Sequence, residues 1–579
     1  MRLQGIAAAS GFAMGPAFML QERSGTVEKY NVAEDRVQAE ASRLQEHVQL
    51  AIRQLEALIV QTRNNVGEEQ AKIFESQILL LEDEEFTGAA VQSVLSERIN
   101  AEAALEAASQ MIISIFESME DEHLRERAAD IRDVTNRVMR LLRGEDGDPL
   151  SAISEPVVLF AHDLTPSDTA QLDRSKTAGF VTAIGGKTSH SAIMARSMGI
   201  PAVVGMGGAM TQVQAGDYII LDGAQGIVYV NPEPSVIEEY KAKQAKFESR
   251  RAALMRYMNQ PTVTADGHSV ELVANIGNPK DAHSAKELGA EGVGLYRTEF
   301  LYMGRNSFPS EEEQFQSYKV VAEVFGKDQP VVIRTLDVGG DKELPYLELP
   351  KEANPFLGVR AIRLCLEETE LFKTQLRAIV KASAFGNIKL MYPMIATLNE
   401  LRQANGLLAE VKAELDREGI PYNREMEVGI MIEVPGAALI ADQLAKEVDF
   451  FSIGTNDLVQ YVMAADRMNE RLSYLAEPFQ PAVLRLIYQV IQAAHREGKW
   501  VGMCGEMAGN LTAVPILLGM GLDEFSMSAS SVLPARALLH KLNRADMEQL
   551  AEHVLQLASA EDIKSYVEEQ VKAIADLRA

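Results

Sequence analysis

Phe450-Phe451-Ser452-Ile453 is a four-residue apolar run, and Gly454-Thr455-Asn456-Asp457-Leu458 follows it with a turn, polar side chains and the opening of a helix. Such a segment reads as a short buried strand with chemistry at its carboxyl end. Seven further runs have this character: Glu271 to Asn275, Gly292 to Tyr296, Val331 to Thr335, Ile388 to Tyr392, Val428 to Ile432, Trp500 to Met503 and Glu524 to Met527. Eight strands alternating with helical stretches over roughly three hundred residues predict a TIM (β/α)8 barrel.

The residues just past the strand ends carry the argument further. Arg297 and Glu299 follow the second run, Arg334 and Asp337 the third, Glu433 the fifth, and Asn456 and Asp457 the sixth. Arg467 lies in the loop after the sixth, and Cys504 with Glu506 follows the seventh. Strand ends of a barrel converge on one face, so these residues are expected to share a cleft. Arg297, Arg334 and Arg467 offer planar forks for phosphate or carboxylate oxygens, and Arg360 is a further candidate. Glu433 and Asp457 offer hard oxygens to a magnesium ion bound partly through substrate. The expected ligand is a small phosphorylated acid. An arginine or carboxylate at a strand end can also be an ordinary ion-pair partner or helix cap, and the set as a whole weakens that reading. Cys504, beyond its strand in Met503-Cys504-Gly505-Glu506, is a candidate for catalysis, whereas Cys365 within a helical run reads as packing.

Upstream the pattern differs. Residues 1–30 carry short apolar runs broken by Gly5, Gly11, Gly15 and Pro16, which suits strands. Residues 31–143 are nearly glycine-free and helical in period, and about four helices are expected there. Strand-like runs return over residues 144–230, so the helical bundle reads as an insertion in an α/β domain. Residues 231–261 form a charged linker helix with Ser235 as its N-cap, and residues 262–579 hold the barrel. The expected fold class is therefore multidomain α/β.

Within the α/β domain stands Gly185-Gly186-Lys187-Thr188-Ser189-His190-Ser191-Ala192-Ile193. A buried strand, a glycine turn and a helix capped by Thr188 or Ser189 place His190 at the helix start. The partial positive charge there disfavours imidazolium, keeps His190 nucleophilic near neutral pH and stabilises a phosphoryl group once attached. A histidine in this place can also merely cap or pack, but flanking glycines and hydroxyls favour an anion seat.

Composition excludes several classes. The 579 residues carry a formal net charge of −27, which argues against nucleic-acid binding and leaves a basic protein partner open. Two cysteines make no disulfide framework and point to a reducing, cytoplasmic setting. The opening Met1-Arg2-Leu3-Gln4-Gly5-Ile6 reads as neither signal peptide nor membrane span.

Gly186-Lys187-Thr188-Ser189-His190-Ser191-Ala192-Ile193 resembles the phosphohistidine motif of phosphoenolpyruvate-utilising enzymes. Gly294-Leu295-Tyr296-Arg297-Thr298-Glu299-Phe300 and Phe451 to Leu458 resemble their barrel motifs. The likeness is to the Enzyme I family of the bacterial phosphoenolpyruvate-dependent sugar phosphotransferase system and runs nearly end to end. Asp337-Val338-Gly339-Gly340-Asp341-Lys342, Asn354-Pro355-Phe356-Leu357-Gly358 and Gly505-Glu506-Met507-Ala508-Gly509 extend it. Lys187, where arginine is commoner, and Ile432-Glu433-Val434-Pro435, where threonine often precedes the proline, depart from the pattern conservatively.

The resemblance implies a phosphoenolpyruvate-protein phosphotransferase. His190 is then the phosphohistidine nucleophile, and Cys504 is the proton donor to the enolate of pyruvate. Arg297, Arg334, Asn456, Asp457 and Arg467 bind substrate, while Glu433 and Asp457 hold Mg2+, with Mn2+ as a substitute. It further implies that the bundle docks the phosphocarrier protein HPr, that residues 231–261 act as hinge and lever, and that the barrel forms a homodimer. The acidic stretch with Glu68, Glu69, Glu84 and Glu85 is the expected docking face, with Arg127 contributing. A dikinase sharing these motifs would need a nucleotide-binding domain, and no Walker-type loop is found in the sequence. The nitrogen-related paralogue would carry a sensory domain ahead of the first strands, with which this chain begins.

Overall fold

The computed structural model describes residues 1–20, 27–65, 68–117, 122–144, 150, 153–165, 168–169, 172–173, 175–186, 189–303, 305–340, 344, 346–347, 352–467, 469–572 and 577. The chain divides into two compact units, Met1–Ser249 and Arg250–Ala579.

In the first unit eight strands make one sheet: β1 (Arg2–Gln4), β2 (Ile6–Ala9), β3 (Phe12–Met19), β4 (Val157–Ala161), β5 (Thr177–Thr182), β6 (Ala202–Val204), β7 (Tyr218–Asp222) and β8 (Ile227–Val230). Their order is β1-β8-β7-β3-β4-β5-β6-β2. β3 to β6 run parallel, and β7, β8, β1 and β2 pair antiparallel at the flanks. One apolar cluster contains Leu159, Phe180, Ala192 and Ala195, and another contains Val158, Phe160, Val181 and Leu221. Alternate residues of β4 thus enter different clusters, as the period of two along a strand requires.

Between β3 and β4 the described residues make five α-helices, Val37–Asn65, Glu68–Glu82, Ala89–Glu97, Ala101–Glu117 and Glu122–Leu142, and a π-turn at Glu84–Gly88. The sequence period suggested about four. One break falls at Asp83, whose carboxylate accepts the Glu85 N–H at 2.7 Å and caps the π-turn that follows. Leu44, Leu55, Phe86, Val94, Leu105 and Val138 lie in the core of this bundle. The charged helix after β8 spans Pro234–Met255. Ser235 lies inside it rather than capping it, because Pro234 with its fixed φ already occupies the first turn.

The second unit is a closed barrel of eight strands: β9 (Glu271–Ile276), β10 (Val293–Arg297), β11 (Pro330–Arg334), β12 (Asn387–Tyr392), β13 (Val428–Ile432), β14 (Phe450–Ile453), β15 (Trp500–Met503) and β16 (Glu524–Met527). Every neighbouring pair is parallel, and β16 closes onto β9. β13 to β16 have the bounds expected from the sequence, β9 and β12 are one residue longer at one end, and β10 and β11 are shifted by one residue in opposite directions. The strands carry apolar side chains on both faces, one set packing under the helices and the other filling the barrel with Leu295, Val332, Met391, Met431 and Phe450. No helix among the described residues is long and apolar enough to cross a membrane.

Candidate active site at the barrel mouth

β10 and β11 pair with Arg297 opposite Arg334, so two guanidinium stems leave adjacent strand ends. Arg334 is 5% exposed. Its Nη2 donates to Glu299 Oε1 at 2.7 Å, and its Nη1 meets Asp337 Oδ2 at 2.9 Å. The other oxygen of Asp337 accepts from Arg360 Nη2 at 2.8 Å. Arg360 Nη1 lies 3.7 Å from Asp457 Oδ1, and Arg467 Nη1 approaches the same oxygen at 3.5 Å. Cations and carboxylates thus alternate across the mouth from Glu299 to Arg467. Burial works against the charge on Arg334 and Arg360, and the facing carboxylates outweigh it and hold both firmly protonated.

Glu433, at the end of β13, is buried, and its Oε1 accepts the Met394 N–H at 2.6 Å. Burial, reinforced by repulsion from Asp457 and Asp337, pushes its carboxyl up to about 8. Asp457 opens the helix Thr455–Met463 after β14, and its Oδ1 accepts no hydrogen bond. Two crowded hard-oxygen groups, one with an unused acceptor, fit a divalent cation that completes its shell with water and substrate oxygens. Among the described residues no group of three or more His, Cys, Asp or Glu side chains is placed to hold a metal by itself.

Cys504 follows β15 and is buried. Its backbone N–H donates to Ile453 O at 3.1 Å. Burial raises the thiol to about 11, while the Ser452 hydroxyl and the charges of Arg334 and Arg297 oppose the rise, so the sulfur keeps its proton at neutral pH. Asn456 Oδ1 accepts the Glu506 N–H at 3.4 Å, which ties the loops after β14 and β15 together. Arg467 is fixed by its backbone N–H, which donates to Gln460 Oε1 at 3.1 Å.

The structure therefore brings Arg334, Arg360, Glu433, Asp457 and Arg467 together, with Arg297, Asn456 and Cys504 on the same strand ends. Glu299, Asp337 and Tyr461 complete the constellation. The first two are visible in sequence only as polar residues past strand ends, and Tyr461 carries no sequence signal beyond its place one helical turn after Asp457.

In the first unit Ser189 caps the helix His190–Met198, with its Oγ accepting the Ala192 N–H at 3.4 Å. His190 is the first residue of that helix. Its side chain lies outside the described residues, as do Lys187 and Thr188 and the side chains of Glu68, Glu69 and Arg127. Glu84 and Glu85 stand exposed in the first turn of the π-turn. Glu84 also borders a cleft of about 730 Å³ together with Gln45, Val48, Leu81, Glu82 and Asp83.

A barrel whose mouth alternates guanidinium and carboxylate groups suits an enzyme that handles a small, highly charged anion, and comparison with known proteins narrows the class. Three family models match: "PEP-utilising enzyme, N-terminal" over residues 4–127, "PEP-utilising enzyme, mobile domain" over 153–226, and "PEP-utilising enzyme, PEP-binding domain" over 251–544. The chain is 54% identical over 565 residues to the phosphoenolpyruvate-protein phosphotransferase of Priestia megaterium, covering 98% of each chain. It is 53% identical over 570 residues to that of Bacillus subtilis (strain 168), covering 98% of this chain and all of the relative. The chain belongs to the family of phosphoenolpyruvate-protein phosphotransferases.

Proposed function

We propose that the chain moves the phosphoryl group of phosphoenolpyruvate to its own His190 and then to a histidine of the phosphocarrier protein HPr, releasing pyruvate. This is the first step of the bacterial sugar phosphotransferase system. The observation that carries the reading is the alternation Arg334, Asp337, Arg360, Asp457, Arg467 at the barrel mouth, buried except for the partly exposed Arg467. Fixed cations there meet an incoming phosphate without reorganising, and they act with more force than in water because the site is buried.

Arg297, Arg334 and Arg467 grip the phosphate, with Asn456 donating to it, and Arg360 is a further candidate for the substrate site. Glu433 and Asp457 are the residues suited to Mg2+, or Mn2+ in its place, which when bound offsets charge on the substrate oxygens. His190 attacks phosphorus in line, the bond from phosphorus to the enol oxygen breaks, and its electron pair leaves with the enolate. The Cys504 thiol then gives its proton to the enolate carbon, yielding pyruvate and a thiolate that regains a proton from solvent. The proposed division of the chain follows the two steps: residues 1–30 and 144–230 carry His190, 31–143 dock HPr, 231–261 link, and 262–579 bind phosphoenolpyruvate and dimerise. Glu68, Glu69, Glu84, Glu85 and Arg127 form the proposed docking face in a cytoplasmic protein.

Labelled phosphoenolpyruvate with magnesium tests the reading. Acid-labile label on His190 without any nucleotide is the expected result. An ATP requirement, or acid-stable label on Ser189 or Ser191, overturns it.

A further inference from the structure

The segment Asn354-Pro355-Phe356-Leu357-Gly358 takes no part in the reaction as described, yet it is pinned at almost every peptide. Tyr461 donates its hydroxyl to Phe356 O, Arg363 Nη1 donates to Leu357 O at 3.0 Å and to Gly358 O at 2.9 Å, and Glu352 accepts the Val359 N–H at 3.1 Å. Ala361, two residues on, is held at φ 52°, a costly conformation for a residue with a Cβ, and its N–H is tied to Val338 O at 3.0 Å. A loop held at this many points has one arrangement, and that arrangement sets where the Phe356 ring lies.

The ring stands against two guanidinium groups at once. The Arg360 guanidinium carbon is 5.8 Å from its centroid and that of Arg467 is 5.7 Å. On another side the ring packs on Gly340, where a Cβ would come within 3.2 Å of Cδ1. Gly340 also has φ +71°, so glycine serves both the turn and the seat. Tyr461 closes the arrangement, since its hydroxyl takes Arg360 Nη1 at 3.2 Å and gives its own proton to the Phe356 carbonyl.

We propose that Phe356 is a positioning residue whose ring serves as a shared cation–π platform for Arg360 and Arg467, presenting both guanidinium groups to the substrate phosphate before it arrives. Both cations approach one Asp457 oxygen, and the ring beside them supplies negative potential without a further carboxylate that would repel the substrate. Arg360 is buried and held by Asp337 and Tyr461, whereas the Arg467 side chain is about a quarter exposed, so the platform matters more for Arg467. This assigns a role to both glycine-containing motifs, Gly339-Gly340 and Asn354 to Gly358, that the chemistry of phosphoryl transfer leaves unused.

The inference rests on the reading of Arg467 as a phosphate ligand, and a mutant cycle in the full-length chain separates the two. Phe356→Leu is expected to raise KM for phosphoenolpyruvate about tenfold with kcat changed less than KM, and Phe356→Trp is expected to restore most of the loss. In an Arg467→Ala background, Phe356→Leu is expected to raise KM by no more than about twofold. If Arg467→Ala leaves KM unchanged, the assignment of Arg467 falls and the platform falls with it. If Arg467→Ala raises KM while Phe356→Leu does not, or does so equally with Arg467 absent, the platform alone is overturned. Should Phe356→Leu unfold, Phe356→Trp and Phe356→Met give the same comparison, with Met keeping volume and losing the π-face; equal KM values for the two would also overturn the proposal.

Discussion

Arg334 and Glu299 form an ion pair at 2.7 Å in which neither side chain is more than 7% exposed, although Glu299 leaves one strand and Arg334 the next. Removing one partner of a buried pair strands the other charge, at a cost of about 3–5 kcal/mol. Glu299→Ala is therefore expected to lower the unfolding free energy of the barrel by an amount of that order and to depress kcat/KM for pyruvate release. Glu299→Gln, which keeps an acceptor oxygen for Arg334 Nη2, should lose less of both. Denaturant unfolding followed by circular dichroism and a pyruvate assay check the pair of expectations, and equal stability for wild type and Glu299→Ala refutes the first.

Glu524 predicts a pH dependence of stability away from the reaction. Its carboxyl is buried in the barrel, neither oxygen has a hydrogen-bond partner, and burial raises it to about 8. Glu271, Asp523 and Glu427 push in the same direction and Lys389 opposes them. The folded form keeps the proton where the unfolded chain, with its ordinary value near 4.5, has released it. The stabilising contribution is thus complete below pH 4.5, declines by about 1.4 kcal/mol per pH unit as pH rises, and is gone above about 8. Glu524→Gln should flatten the slope of barrel stability between pH 5.5 and 8, as measured by denaturant midpoints at a series of pH values, taking that window as roughly the span between the two values. An unchanged slope refutes the assignment.

Cys504 is protonated and buried, and Cys365 is buried with its thiol pushed well above the ordinary range. Neither should react with iodoacetamide in the folded protein near neutral pH, since the thiolate is the reactive species. Denaturation should expose two thiols. In Cys504→Ala, phosphorylation of His190 should persist while pyruvate formation slows, so that a labelled-phosphate burst outruns lactate-dehydrogenase-coupled detection of pyruvate. Parallel loss of both signals would remove Cys504 from the protonation step.

Much of this was legible in the sequence for a physical reason. A parallel barrel strand is buried on both faces and must read as an unbroken apolar run, so Val428–Ile432 and Phe450–Ile453 announce themselves, and the polar residue that follows has only the mouth to face. Glu433, Asp457 and Arg334 were identifiable by that rule. Their order across the mouth was not, because Asp337 joins Arg334 to Arg360 through a loop geometry that no period encodes. The Phe356 ring is hidden for a related reason: an aromatic side chain in a loop looks like any packing residue until the guanidinium groups beside it are located. In the helical bundle the period marked helices but not the break at Asp83, since a cap depends on one side chain's orientation.

Glu84 and Glu85 sit exposed side by side beside Asp83 and Glu82. If this face receives a basic partner, Glu84→Lys should slow phosphotransfer to HPr mainly through the association rate, leaving autophosphorylation of His190 intact. Raising salt from about 0.05 to 0.5 M should slow the wild type and narrow its difference from the variant, as screening predicts. Stopped-flow transfer of labelled phosphate measures both, and a rate indifferent to salt and to charge reversal removes the docking assignment.

Gly505 offers the sharpest steric test of the mouth. A Cβ at this position would fall 1.8 Å from Thr455 Oγ1 and 2.8 Å from Thr455 N, so rotating the threonine alone does not relieve the clash, and backbone must move. The two segments that would part carry Cys504 on one side and Asn456 and Asp457 on the other. Gly505→Ala should therefore cost about 10²-fold in kcat, since a displacement near 1 Å at a reacting centre has that effect. The same substitution at Gly406, inside the helix Leu398–Glu418 with nothing within 4 Å of the added carbon, should leave activity intact and stabilise by about 1 kcal/mol. Steady-state pyruvate formation and thermal unfolding of the two variants separate a local steric effect from a general intolerance of glycine replacement. Full activity in Gly505→Ala would mean that the loops after β14 and β15 can part without disturbing the reacting groups.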